Sequence, residues 1–247
     1  MAQYWQAEEA QEEKFDHIRF SNGAQKRITL FFLLDTSSSM NGPPDSSAPR
    51  PIDELNNAVK EWAAHLKNAK DLRYRAELAL ITFGDGGVIV HPGHDDSPFC
   101  PAALFDPPVL EAGGVTPMFE AIRTAIDLSE QRKTALDQQG IQRFRPLMFM
   151  MSDGVPTDRT GHPLPQDEWQ NMAAQIAMLE ERRKLAFFAV GVSSADREFL
   201  ATLAPNSSWQ VSQDDLATFL KEASNSAADD DPITAARARL QAMASHA

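Results

Sequence analysis

The stretch that most constrains this chain is Ile28-Thr29-Leu30-Phe31-Phe32-Leu33-Leu34, followed at once by Asp35-Thr36-Ser37-Ser38-Ser39-Met40. A nearly continuous apolar run suits a strand covered on both faces, as in the middle of a parallel sheet. The run ends by delivering a carboxylate and several hydroxyls onto a loop. A fold that buries both faces of this strand therefore presents a polar loop at its carboxyl end.

The rest of the chain repeats the order strand, loop, helix. Ile52, Leu55, Val59, Trp62 and Leu66 fall on one helical face. Ala76 to Phe83 reads as a strand. The turn Gly84-Asp85-Gly86-Gly87 returns it through Val88 to Val90 as an antiparallel hairpin at a sheet edge. Residues 91–112 hold several prolines and read as an irregular loop. Thr116 and Pro117 have the chemistry of a helix cap and a first helical residue, ahead of the stripe Phe119, Ile122, Ile126 and Leu128.

Leu147 to Met151 is another buried strand, running into Ser152-Asp153-Gly154. Trp169, Met172, Ile176 and Leu179 mark the next helix, Leu185 to Val190 the next strand, and Trp209 to Val211 a short last one. Ser193 with Asp196, and Ser212 with Asp215, have capping-box spacing before two further helices. This alternation predicts an α/β fold: a doubly wound, mostly parallel, Rossmann-like central sheet with one antiparallel edge strand and helices on both faces. Residues 1–24 read as an N-terminal arm, 25–227 as one domain, and 228–247 as an acidic linker with a weak C-terminal helix or tail.

Composition narrows the function classes. The formal charge of −12 over 247 residues repels phosphate backbones, so no nucleic-acid partner is expected. The basic run Arg182-Arg183-Lys184 reads as cations at a helix end, where they favour the macrodipole. No apolar run approaches the roughly 20 residues that span a bilayer, and the first residues lack the basic head and apolar centre of a secretory signal. A cytoplasmic protein without a membrane partner is the resulting expectation. The single cysteine, Cys100, excludes an intrachain disulfide framework.

In open α/β sheets, functional groups gather beyond the carboxyl ends of the strands. Three loops here carry matching chemistry. The first offers Asp35, Ser37 and Ser39, whose alternation points them to one side. The second offers Thr116 at a helix start, and the third Asp153 after a buried strand. All five are hard oxygen donors, and two carboxylates with three hydroxyls suit a small octahedral dication, Mg²⁺ with Mn²⁺ as the alternative. Two carboxylates balance the dication, which leaves it attractive to one further anionic oxygen from outside.

These three elements in order, Asp35-Thr36-Ser37-Ser38-Ser39, Thr116 and Ser152-Asp153-Gly154, resemble the metal-ion-dependent adhesion site of the von Willebrand factor type A (VWA) domain. The resemblance covers roughly residues 25–227. It implies that Ser37, Ser39 and Thr116 ligate the metal directly, and Asp35 and Asp153 directly or through water. It implies a non-enzymatic, Mg²⁺-dependent interaction module whose protein partner donates a Glu or Asp.

Leu80-Ile81-Thr82-Phe83, Ser152-Asp153-Gly154-Val155-Pro156-Thr157-Asp158 and Phe188-Ala189-Val190-Gly191-Val192 are similar to the intracellular prokaryotic branch, including the tellurium-resistance (TerY-like) proteins. That likeness implies a stress-response setting with a kinase or phosphatase partner. Two departures stand out: the Pro-rich loop 42–51 and the segment 91–112 are longer than expected for the family.

Two other chemistries fit single loops. An aspartate after a buried strand also serves phosphoryl transfer, which makes a Mg²⁺-dependent phosphohydrolase on Asp35 and Asp153 the alternative function. Such sites place a second acid two positions on, where this chain has Ser37. His91, His94, Asp95, Asp96 and Cys100 contain zinc-ligating types, but no distant ligand pair completes the set.

Overall fold

The computed structural model describes residues 26–43, 48–73, 75–95, 97–192 and 195–244. The expected N-terminal arm, residues 44–47 of loop 42–51, Asp96 and Ser193 lie outside the described residues.

Seven strands among the described residues form one sheet: β1 (Ile28–Thr36), β2 (Ala76–Gly84), β3 (Gly87–Val90), β4 (Cys100–Pro101), β5 (Leu147–Ser152), β6 (Ala186–Val192) and β7 (Ser208–Val211). Their order is β3-β2-β1-β5-β6-β7, and β4 adds a two-residue pairing on β2. The pairs β1–β2, β1–β5, β5–β6 and β6–β7 are parallel, while β3 returns antiparallel along β2. This is the predicted mostly parallel sheet with its antiparallel edge strand.

The helices are α1 (Pro51–Asn68), α2 (Met118–Gln138), α3 (Gln166–Glu181), α4 (Arg197–Leu203), α5 (Leu216–Asn225) and α6 (Pro232–Ala244). They cover both faces, because successive strand residues point to opposite sides. Along β1, Ile28, Leu30, Phe32 and Leu34 enter one apolar cluster with α1, α5 and α6. Phe31 and Leu33 enter the other, with α2, α3 and α4. The first cluster is built on an aromatic row across the sheet. Phe32 lies 4.4 Å from Trp62 and 5.3 Å from Phe149, Phe149 lies 4.8 Å from Phe188, and Phe188 lies 5.9 Å from Trp209.

Four local expectations are corrected. Helix α2 starts at Met118, so Pro117 takes the cap position and Thr116 caps nothing. The backbone N–H and carbonyl of Thr116 are both engaged by Thr157, which holds it in a bridge between loops. Asp196 is itself the N-cap of α4, accepting from the amides of Glu198 and Phe199. Ser212 does not cap an amide; its hydroxyl donates to the Asp215 carboxylate at 2.6 Å, and one 3₁₀ turn precedes α5.

Within the expected C-terminal segment, α6 (Pro232–Ala244) buries Ala236 and Leu240 completely or nearly so in the first cluster. The acid run is also used, since Asp229 pairs with Arg239 at 3.2 Å and Asp231 accepts from the Thr234 hydroxyl at 2.7 Å. No helix among the described residues is long and apolar enough to cross a membrane.

Candidate metal centre

The chain leaves β1 toward β2 on one side and later returns to β5 on the other, so the strand order reverses between β1 and β5. Crevices open at the carboxyl ends of strands at such switch points. The pairing of Leu34 with Met151 sets Asp35 beside Ser152 and brings the first and third loops together.

Asp35 is 2 % exposed, and both its carboxylate oxygens are occupied. Oδ1 accepts from the Ser37 amide at 2.8 Å, and Oδ2 from the Ser152 hydroxyl at 2.5 Å. The Ser37 and Ser39 hydroxyls lie 3.0 Å apart, and Ser39 donates to Asp153 Oδ1 at 2.7 Å. Asp35, Ser37, Ser39 and Asp153 thus form one connected chain of hydrogen bonds, through the Ser37 amide and then the two hydroxyls.

Strand alternation was the expected reason for this grouping, but β1 ends at Thr36 and residues Ser38–Asn41 make a 3₁₀ turn. The tight turn, anchored by the Asp35 carboxylate on the Ser37 amide, folds Ser39 back beside Ser37.

The second loop is braced against both others. Ser38 donates from its amide and its hydroxyl to the Gly114 carbonyl, at 3.2 and 2.7 Å, and the Gly113 amide donates to the Thr36 carbonyl at 2.9 Å. Asn41 reaches the Ala112 carbonyl at 3.2 Å. The Thr116 amide donates to the Thr157 hydroxyl at 2.9 Å, and the Thr157 amide returns to the Thr116 carbonyl at 3.0 Å. Gly114 has φ of 71°, and a Cβ there would meet the Asp85 backbone at 2.7 Å, so only glycine lets this loop lie so close to the β2–β3 turn. Thr116 is 7 % exposed, and its hydroxyl makes no hydrogen bond among the described residues.

Burial pushes the Asp35 carboxyl up to about 6; hydrogen bonds from Ser152 and Ser37 pull it down and the charge of Asp153 adds to the rise. Burial likewise raises Asp153, against the Ser39 hydrogen bond. No Lys, Arg or His among the described residues forms an ion pair with either carboxylate. Neighbouring acids without a basic partner, set among hydroxyls, have the donor chemistry of a hard dication site. The residues present therefore fit such an ion.

Ser38, Ser152 and Thr157 stand within the motif stretches, but their role in bracing the site was not assigned there. Ser152 had a signal: it puts a hydroxyl at the very end of a buried strand, directly before Asp153. Thr157 had none, because its partner is 41 residues away.

The zinc-type residues disperse. His91 Nε2 sits 2.9 Å from the Thr82 hydroxyl, His94 pairs with Asp95 at 3.2 Å, and the Cys100 thiol is pushed up to about 11 by burial and then by Asp106. No group of three or more His, Cys, Asp or Glu side chains suited to a metal gathers among the described residues.

No family profile matches the chain, and no curated protein matches it in sequence. Solved structures do. The pilus adhesin SpaC of Lactobacillus rhamnosus GG aligns with a TM-score of 0.60 at 15% identity, over 83% of this chain and 31% of that one. The minor pilin PilB of Streptococcus sanguinis aligns with a TM-score of 0.55 at 13% identity, over 84% of this chain and 62% of that one. This chain therefore spans less than two thirds of the length of either. The vWF domain of the type V pili tip protein Mfa5 of Porphyromonas gingivalis aligns with a TM-score of 0.53 at 10% identity, over 81% of this chain and 95% of that domain. At these identities the likeness is one of fold, and the fold of this chain is VWA-like.

Proposed function

We propose that this chain is a divalent-cation-dependent protein-interaction module. The observation that carries the proposal is the continuous line from Asp35 through Ser37 and Ser39 to Asp153, with the Thr116 loop braced against it. Ser37, Ser39 and Thr116 would hold Mg²⁺ or Mn²⁺ directly, and Asp35 and Asp153 directly or through water. A bound dication supplies positive charge that attracts an anionic oxygen. The protein's part is to fix the hydroxyls, supply balancing charge and leave Ser38 and Ser39 exposed on the approach side. A Glu or Asp of a partner protein is the matching ligand. Loops 42–51, 91–112 and 155–165 are the proposed rim that selects it.

We place this module in a cytoplasmic stress-response system with a kinase or phosphatase partner, on the resemblance of its strand-end motifs to the TerY-like branch. The pilus proteins that share the fold support a second setting, adhesion at a cell surface. Fractionation of the native protein separates the two. The phosphohydrolase alternative has less support: it needs an attacking Asp35, and that carboxylate is buried with both oxygens hydrogen-bonded.

The test is partner capture from lysate in MgCl₂ and in EDTA, with Asp35→Ala/Ser37→Ala as control. Capture is expected only with MgCl₂ and the wild-type chain. Equal capture in EDTA overturns the metal bridge, and Mg²⁺-dependent phosphate-ester turnover lost in Asp35→Asn restores the enzymatic alternative.

A further inference from the structure

The end of the sheet opposite the metal centre carries an unexplained group of arginines. Arg145 lies one residue ahead of Pro146 at the start of β5, and the Ala186 amide donates to the Pro146 carbonyl at 2.9 Å. That bond brings Arg145 alongside the α3–β6 turn, which contains Arg183. Arg237, on α6, donates from Nε to the Ser207 hydroxyl at 3.2 Å, at the start of β7. Three elements distant in sequence thus bring arginines to one end of the sheet, where β5, β6 and β7 begin.

Two features of the group are unusual. Arg145 is half-buried, yet it forms no hydrogen bond or ion pair among the described residues. Burial first, then the like charges of Arg183 and Arg237, hold its guanidinium below the usual arginine range. The charges of Glu180 and Asp231 act on Arg145 in the opposite sense and offset part of this; Glu180 also accepts from the Phe187 amide at 3.0 Å, and Asp231 from the Thr234 hydroxyl at 2.7 Å.

The second feature is the backbone of Arg183. Its amide donates to the Glu180 carbonyl at 2.9 Å, and the Lys184 amide donates to the Leu179 carbonyl at 2.8 Å. That is the Schellman ending of a helix, whose left-handed position is normally glycine. Arg183 occupies it with φ of 56°. A side chain there is disfavoured, so the local backbone does not account for an arginine. The α3 macrodipole favours cations at its own end, but it accounts for neither Arg145 ahead of β5 nor Arg237 on α6.

We propose that Arg145, Arg183 and Arg237 form a binding site for a phosphate group, either free or carried on a peptide. Guanidinium forks match phosphate oxygens, and a phosphate dianion can engage several of them at once. A nucleic-acid strand fits less well, because Glu181, Asp230 and Asp231 are exposed on the chain around the group and the overall charge is −12.

The test is calorimetric titration of the full chain with sodium phosphate, with a phosphoserine peptide and with its unphosphorylated form, against NaCl at matched ionic strength. Saturable binding of phosphate and phosphopeptide is expected, weakened at least about tenfold by Arg145→Gln or Arg237→Gln. Arg183→Gly is the decisive variant: glycine relieves the left-handed backbone, so the melting temperature holds or rises while binding weakens. Tighter binding of the phosphopeptide identifies a peptide-borne source, and equal binding a free phosphate; both support the site. A phosphate response no larger than that of NaCl, undiminished binding in the variants, or tighter binding of a single-stranded oligonucleotide than of the phosphopeptide overturns it.

Discussion

Ser39 donates a 2.7 Å hydrogen bond to Asp153, a residue 114 positions away. It is a direct side-chain link between the first and third loops on the exposed side of the candidate metal centre. Ser39→Ala should weaken Mg²⁺ binding by about tenfold or more while changing fold stability by less than about 0.5 kcal/mol, since Ser39 is exposed and outside the core. Calorimetric titration with MgCl₂ beside a urea melt checks both halves. Unchanged Mg²⁺ affinity would remove Ser39 from the proposed donor set.

Asp35 predicts an inverted pH dependence for the cation-free chain. Its carboxyl is pushed up to about 6, against 3.8 for a free aspartate. Between roughly pH 4 and 6 the folded chain keeps this proton while the unfolded chain releases it, so this group's contribution to stability falls as pH rises through the window. The loss is on the order of 3 kcal/mol. Asp35→Asn should flatten that contribution, and the stabilisation by MgCl₂ should grow with pH as ion and proton compete. Urea midpoints in EDTA across the window decide it; identical slopes in wild type and Asp35→Asn contradict the assignment.

Glu77 on β2 is 7 % exposed, and the Arg132 guanidinium of α2 holds both its oxygens, with the Thr29 hydroxyl adding a bond at 2.7 Å. Arg132→Met leaves a buried carboxylate with one neutral donor and should destabilise the chain by about 3 kcal/mol. Removing both charges, with Glu77→Leu and Arg132→Met together, should cost less than Arg132→Met alone. A double-mutant cycle in urea measures the difference, and simple additivity would argue against coupling.

Leu240 tests whether α6 belongs to the core. It is 2 % exposed in the cluster that also contains Trp209 and Phe219. Leu240→Ala should cost about 2 to 4 kcal/mol, whereas an exposed, frayed helix would lose almost nothing. The shift in urea midpoint separates the two.

Much of the fold was legible because burial leaves a periodic trace. Ile52, Leu55, Val59, Trp62 and Leu66 mark one face of α1, and every one of them is buried. The even and odd residues of β1 divide between two apolar clusters as a two-sided strand requires. Helix α6 was harder to read because its apolar residues are mostly alanines. Its burial depends on what lies opposite, and composition carries no record of that.

The candidate site divides in the same way. Sequence by itself determined that Asp35 and Asp153 follow buried strands, that hydroxyls cluster at Ser37 and Ser39, and that Thr116 precedes a helix. Each follows from residue type and local period. Only the tertiary structure decided that β1 and β5 are neighbours, that a 3₁₀ turn folds Ser39 back beside Ser37, and that Ser152 and Thr157 hold the loops. It alone assembled Arg145, Arg183 and Arg237 at the opposite end. Strand order and loop-to-loop hydrogen bonds join residues tens to more than a hundred positions apart. No local pattern encodes such a meeting, because it depends on how the whole core packs.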